Sequence, residues 1–559
     1  MGLAFGLAAL ASLLPFVSAQ AHCDPGTPCP TDNGTIYTAV NPPNCTTRGV
    51  QAFVNSLSGL SGTNLSVPYA FYIESNATRD VFADHVGAST FMTDIPPGAS
   101  WGLGALIPSQ FNGSMMMAAP DVGLSWGVAS AGLKYALATF ASNSGHDQPD
   151  YVSGWETPDG LIDWSHRALH MSTLTAKAIV KGWYGIKPNY SYITGCSAGG
   201  RQVMKSIQTY PEDYDGAMAG APTWWATHQE FYSFKQSTIG VPADAESSIP
   251  SSMYEVIGQE AFLQCDPQDG LLDSIISNPL GCFFDPATLA CSSNRTSDCL
   301  TPPQLETLQK LYNDWTTFNQ NLIYPGQWFG SEFTWNTSFG TTGHAAQSQG
   351  IWFIENVLGF KNFTAQDLTA ELIAKADALD PAHVNADEFD LEPFFKRGGK
   401  FLHWHGMADS VVSPGASVYY HNHAEYAALQ KGISIDSHYQ LYLIPGLEHC
   451  TGTPSCMEAL WYLAGPYEAG NFFNYTPANV VDDLLHDSFW ALIDWVEVDY
   501  APEYFVTSSF TDNAVPTEIY HNRKICAYPQ VANWTRTGVS IHEDYWDCVY
   551  PYHHLGAGY

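Results

Sequence analysis

Short apolar runs and helical periodicities alternate along much of the chain. Ser191-Tyr-Ile-Thr194, Lys400-Phe-Leu-His-Trp404 and Tyr439-Gln-Leu-Tyr-Leu-Ile444 are apolar runs of strand length. Arg201 to Thr209 instead places Val203, Met204 and Ile207 at helical spacing. Such alternation predicts an α/β fold, a mainly parallel sheet flanked by helices. The texture changes between about Thr227 and about Lys400. There, four clustered cysteines accompany Phe231, Tyr232, Phe234, Trp315, Trp328, Phe329, Trp335, Trp352 and Phe353. Residues 227–390 therefore read as a domain inserted into a discontinuous α/β domain made of 20–226 and 391–559.

Charged residues are 14% of the chain, against ~25% in ordinary soluble domains, and Lys+Arg 21 against Asp+Glu 55 leaves a net charge of −34. That excess repels phosphate backbones and anionic lipid surfaces, which excludes nucleic-acid and membrane-surface partners. The 45% hydrophobic content excludes general disorder. Met1 to Ala19 is apolar, carries no charged side chain and ends Val17-Ser18-Ala19, the pattern of a cleaved signal peptide over 1–19. It is interrupted at Pro15 and short for a membrane span, and no later run of ~18 apolar residues follows. The 12 cysteines are even in number, as in oxidised exported proteins. Glycan acceptor sequences begin at Asn33, Asn44, Asn64, Asn76, Asn112, Asn189, Asn294, Asn336, Asn362, Asn474 and Asn533. The expectation is a secreted, extracellular glycoprotein.

The chemistry begins at Gly195-Cys196-Ser197-Ala198-Gly199, which fits G-x-S-x-G. This pattern puts a serine on a sharp strand-to-helix turn with its hydroxyl exposed. Tyr192-Ile193-Thr194 supplies the strand and Arg201 to Thr209 the helix. The backbone N–H of Ala198, next to the nucleophile, is an oxyanion donor by position. A serine hydroxyl needs a base to take its proton, and the base needs a third group to orient it. In this architecture the partners follow in the order serine, acid, histidine. Asp409 lies just beyond the run ending at Trp404, and His449 just beyond the run ending at Ile444. Both fall where strand ends build α/β sites. His403, His405, His421 and His423 compete for the same role. His449 differs in that Cys450 follows it while Cys196 precedes Ser197. If Ser197 and His449 touch, the two cysteines come within the roughly 4.4–6.8 Å between α-carbons that a disulfide spans.

Within the 227–390 stretch, Cys265-Asp-Pro-Gln-Asp-Gly-Leu-Leu-Asp-Ser-Ile275 gathers three carboxylates. A turn at Gly270 brings Asp266, Asp269 and Asp273 together, and a hard cation with oxygen ligands offsets their repulsion. An acidic surface loop is the competing reading.

The chain resembles the tannase/feruloyl esterase family of secreted serine hydrolases. The resemblance rests on His166-Arg-Ala-Leu-His170, Trp183-Tyr-Gly185, Gly195-Cys-Ser-Ala-Gly-Gly-Arg-Gln202, Tyr210-Pro-Glu-Asp-Tyr-Asp-Gly216 and Ala219-Gly-Ala-Pro222. It resumes at Trp404-His-Gly406, Asp409 and Pro445-Gly446 with His449-Cys450. It implies an α/β-hydrolase fold with a large inserted lid domain, hydrolysing carboxylic esters of phenolic acids, feruloyl or galloyl, on a small molecule or a polysaccharide. By the same resemblance Ser197 is the nucleophile, Asp409 the acid and His449 the base. It also implies bridges Cys196–Cys450, Cys265–Cys282, Cys291–Cys299 and Cys526–Cys548. A structural Ca2+ in the lid would take Asp266, Asp269 and Asp273, with the carbonyls of Leu271 and Ile275, and no organic cofactor is expected. Two alternatives stay open: an esterase for another ester, such as a secondary metabolite, and a binding protein on a hydrolase scaffold. The chain departs from the family at Met115-Met-Met-Ala-Ala-Pro-Asp-Val-Gly123, where proline and aspartate replace the glycines of a second oxyanion turn. Cys23, Cys29, Cys45 and Cys456 match no assignable pairing.

Overall fold

Nine strands form the central sheet: β1 (Asn64–Ile73), β2 (His85–Thr93), β3 (Ser100–Pro108), β4 (Met115–Ala118), β5 (Ala138–Ser142), β6 (Ser191–Cys196), β7 (Gly216–Gly220), β8 (Lys400–Gly406) and β9 (Tyr439–Ile444). The computed structural model describes residues 36–40, 46–57, 64–73, 85–93, 100–120, 123–146, 152–238, 245–338, 349–454, 457, 459–471, 483–512 and 518–551. The expected signal peptide and Cys23, Cys29, Cys45 and Cys456 lie outside them.

The spatial order is β1-β2-β3-β5-β4-β6-β7-β8-β9. From β5 to β9 every neighbouring pair is parallel. The pairs β1–β2, β2–β3 and β3–β5 are antiparallel, so the sheet is mixed, with its parallel pairs in the majority. β1, β2 and β3 pair with their neighbours in sequence, which antiparallel strands do without a crossover helix. Their pattern mixes polar residues such as Ser66, Ser89 and Thr90 among apolar ones, so these strands carry no continuous apolar run.

The parallel half is apolar on both faces, and side chains alternate between two cores. Met115, Met117, Ile193, Ala217, Phe401 and Leu441 pack into one, with helices Ala168–Tyr184, Ala198–Thr209 and Pro414–Gln430. Met116, Tyr192, Met218, Leu402 and Tyr442 pack into the other, with helix Ser488–Val498. Residues between β7 and β8 make a long, mainly helical excursion, which includes a buried cluster of its own around Ile257, Leu289, Leu308 and Trp335. Several of its rings serve packing: Phe231, Trp335 and Phe353 are each 0% exposed, whereas Phe283 and Phe318 face solvent. Among the described residues no helix is long and apolar enough to cross a membrane.

The four expected bridges, Cys196–Cys450, Cys265–Cys282, Cys291–Cys299 and Cys526–Cys548, are all formed. Asn112, by contrast, is buried, its amide donating to the Tyr135 carbonyl at 3.0 Å and its oxygen accepting from the Ser114 N–H at 2.8 Å. That acceptor sequence is closed to a glycan in the folded chain, whereas Asn189, Asn294, Asn362 and Asn533 are exposed.

The excursion also buries a carboxyl. Glu332 is 0% exposed, accepts from Tyr312 Oη at 2.7 Å and from the Gly330 N–H at 2.8 Å, and burial pushes its pKa up to about 7. The folded state therefore holds this proton more tightly than the unfolded chain. The stabilisation is full below the ordinary glutamate value and is lost as pH rises through about 7. Glu332→Gln removes the titration, so the Tm of the variant relative to the parent should rise between pH 5 and pH 8. Thermal melts across that range check it, and a constant difference in Tm contradicts it.

Candidate active site

Ser197 sits where β6 ends and helix Ala198–Thr209 begins, in a strained conformation with a positive φ of 59° and ψ −123°. Its neighbours must be small because the chain passes close to itself. A β-carbon on Gly195 would lie 2.9 Å from the Ala119 carbonyl oxygen, and one on Gly199 would lie 2.6 Å from it. The Ser197 N–H donates to the Gly220 carbonyl at 3.0 Å, and its own carbonyl accepts from Arg201 N at 2.9 Å. The turn is thus fastened to the end of β7 and to its own helix.

Asp409 and His449 follow the ends of β8 and β9. His449 Nδ1–H donates to Asp409 Oδ2 at 2.7 Å, which leaves Nε2 to accept from Ser197 Oγ at 2.8 Å. Asp409 is fully buried, and its other oxygen, Oδ1, accepts from the N–H groups of Val411 and Val412 at 2.8 and 2.9 Å. Burial alone would raise its pKa, but the facing His449 and the hydrogen bonds from His405 and His449 hold it well below the usual carboxylate range. Glu448, beside the base, is pushed up to about 7 by burial and then by the charge of Asp409. The arrangement can deprotonate a hydroxyl and keep the resulting imidazolium paired.

The cysteines adjoining the pair are bonded, with α-carbons 5.9 Å apart. The competing histidines take other partners. His405 shares Asp409 Oδ2 at 3.1 Å but also meets Ser417 and the Val412 carbonyl, His403 contacts Ser417 and Tyr439, and His423 Nδ1 lies 2.8 Å from the Tyr419 carbonyl. His421 is buried against the Tyr439 and Tyr528 rings. Ala198 opens the helix after the nucleophile, where first-turn N–H groups point outward. β4 ends at Ala118, and positions 121 and 122 of the departing 115–123 segment lie outside the described residues.

Several motif residues prove to be scaffold. Arg201 is fully buried, donates to the carbonyls of Trp164, Ser165 and Val384, and lies 4.0 Å from the Trp164 ring centre. His170 pairs with Asp213 at 2.6 Å and stacks on Tyr210, while His166 meets Tyr210 Oη at 2.8 Å. The 166–170 and 210–216 motifs are therefore two sides of one contact.

In the acidic loop, Asp266 is buried and accepts from the N–H groups of Asp273 and Ser274 at 3.2 and 3.0 Å. Asp273 accepts from Ile275 N at 3.2 Å and pairs with Arg523. Gly270 makes the turn with φ 92°. Burial raises the Asp266 pKa, and the charge of Asp273 adds to that rise. Leu271 and Ile275 lie in the same loop, and the Asp269 side chain lies outside the described residues. Among the described residues no three His, Cys, Asp or Glu side chains converge to hold a metal. Here the Asp266 and Asp273 oxygens are engaged by backbone N–H groups and by Arg523.

The family model described as tannase and feruloyl esterase matches residues 106–549. A probable feruloyl esterase B-1 of Aspergillus oryzae is 30% identical over 418 residues, 74% of each chain. Another of that name from Aspergillus flavus is 29% identical over 510 residues, covering 89% of this chain and 92% of its own. The crystal structure of feruloyl esterase B from Aspergillus oryzae superposes with a TM-score of 0.78 at 26% identity, covering 89% of this chain and 100% of that one. The tannin acyl hydrolase of Aspergillus niger shares the fold, with a TM-score of 0.69 at 18% identity over 91% of this chain and 96% of its own.

The Cys196–Cys450 bond joins positions 254 residues apart. Replacing both cysteines by serine should lower kcat by about 100-fold, the cost of a displacement of about 1 Å at the base. It should also cost up to about 4–5 kcal/mol of stability by loop entropy. Assays well below the variant's Tm separate the two effects. A variant with the parent's kcat would show that the bond does not hold the pair in register.

Proposed function

We propose, from the premise that the chain belongs to the tannase and feruloyl esterase family, that Ser197, His449 and Asp409 hydrolyse phenolic-acid esters through an acyl-enzyme. The chain is a carboxylic ester hydrolase, and the observation that carries the finer reading is the hydrogen-bonded run from Ser197 Oγ through His449 to Asp409. His449 takes the hydroxyl proton as Ser197 attacks the ester carbonyl. Asp409 keeps the imidazolium paired, and the Ala198 N–H donates to the oxyanion. His449 returns the proton to the leaving alcohol, and water repeats the sequence on the acyl-serine. A feruloyl or galloyl acyl group, on a small molecule or a polysaccharide, is the substrate class that the family's names support.

The signal-like Met1–Ala19 run and the disulfides support secretion. Residues 227–390 act as a lid over the strand ends in this reading. Asp266, Asp269 and Asp273, with the carbonyls of Leu271 and Ile275, would hold a structural Ca2+ that offsets the repulsion within that loop.

Ser197→Ala should lose ester hydrolysis by several orders of magnitude while keeping its Tm. Turnover of methyl ferulate, methyl gallate and a short aliphatic ester measures this, and parental rates in the variant would overturn the triad. Preference for the aliphatic ester in the parent would overturn the phenolic assignment. For the metal, excess chelator should lower the Tm and calcium should restore it, since a ligand bound only to the folded state adds about 2.7 kcal/mol at a hundredfold excess over its Kd. An unchanged melt, with no calcium by elemental analysis, would remove the site.

A further inference from the structure

Asp409 Oδ2 accepts from two imidazoles. His449 Nδ1 approaches at 2.7 Å, and His405 Nε2 at 3.1 Å. His405 is itself the end of a buried series. Its Nδ1 lies 2.6 Å from Ser417 Oγ, Ser417 Oγ lies 2.8 Å from His403 Nε2, and His403 Nδ1 lies 2.8 Å from Tyr439 Oη. His403, His405, Ser417 and Tyr439 are each 0% exposed.

The hydrogen positions in this series follow from its ends. His405 Nε2 faces two acceptors, Asp409 Oδ2 and the Val412 carbonyl at 3.0 Å, so the hydrogen is on Nε2. In the neutral ring Nδ1 then accepts, and Ser417 must donate to it. Ser417 has one hydrogen, so it accepts from His403 Nε2–H. Burial, with His405 and His421 nearby, holds His403 well below the usual imidazole value and keeps it neutral. Its Nδ1 therefore accepts from Tyr439 Oη–H. Every donor in the run points toward Asp409, so each bond polarises the next in that direction.

We infer that His405 is a positioning residue for Asp409, oriented by the run Tyr439–His403–Ser417, and that it sets how strongly the acid holds the proton of His449. This deepens the triad reading above and rests on it. Asp409 is faced by His449, His405, Glu448 and Tyr324. Of these, His405 is the one that donates to the same oxygen as the base.

Removing the His405 donor leaves the Asp409 charge less compensated. His449 then keeps its proton to a higher pH, and the acidic limb of kcat/KM moves up. The test compares His405→Phe, His405→Gln and Ser417→Ala on an aryl ester across pH, with Tm recorded for each. His405→Phe should lose about 10- to 100-fold in kcat, the worth of one hydrogen bond to a charged group, and shift the limb upward. His405→Gln keeps one donor and one acceptor and should recover much of both. Ser417→Ala should shift the limb in the same direction by less, and it carries the test if His405→Phe does not fold. An unshifted limb in the folded variants, or Phe and Gln variants that behave alike, would overturn the inference. Ser197→Ala run beside them keeps the two readings apart: activity there removes the triad itself.

Discussion

The Cys196–Cys450 bond is the constraint on which the site depends. Ser197 follows β6 and His449 follows β9, and β7 and β8 lie between those strands. At ~4.8 Å per strand, the two strand ends are about 14 Å apart in the sheet. The base reaches the nucleophile only because its loop leans back across two strands, and the disulfide holds the α-carbons on either side of the contact at 5.9 Å. Cys450 adopts φ 68°, a left-handed conformation that turns the loop at the point of attachment. The proton acceptor is thus placed by a covalent bond and oriented by a carboxylate.

Burying that carboxylate creates the second requirement. Asp409 has no exposure and would be strongly destabilised alone. Four donors answer it: two backbone N–H groups on one oxygen and two imidazoles on the other. Elsewhere in this acidic chain, buried carboxyls are met differently. Burial raises Glu332 and Glu448 to about 7, which favours their neutral forms. Cations face other buried acids from near and from far in sequence: Arg167 meets Asp163 at 2.5 Å four residues away, and Lys134 meets Asp487 at 2.9 Å.

Much of the fold was legible where strands are buried on both faces, since continuous apolar runs such as Tyr439–Ile444 leave little alternative. β1–β3 were not legible for the opposite reason, because their polar residues interrupt the pattern and their pairing is antiparallel. The rings of the 227–390 stretch were visible in composition, but the burial of rings such as Phe231, Trp335 and Phe353 in packed clusters was not, because composition does not separate a core ring from an exposed one. The sequence likewise shows Asn112 in an acceptor pattern without showing that its amide is engaged by the Tyr135 carbonyl.

The site divides along the same line. The amino-acid sequence by itself marked the serine turn, because the G-x-S-x-G pattern lies within five residues, although the crowding that Gly195 and Gly199 relieve comes from the distant Ala119 carbonyl. It also marked the base, because a cysteine beside each reacting residue is a local feature with a geometric consequence. Only the tertiary structure decided what the remaining histidines do. His405 lies near the end of β8 and His449 in the loop after β9, and both reach Asp409, yet only His449 bridges it to Ser197. That difference depends on what each ring's second nitrogen meets: Ser197 Oγ for His449, and Ser417 Oγ for His405, which His403 and Tyr439 back from separate elements of the fold.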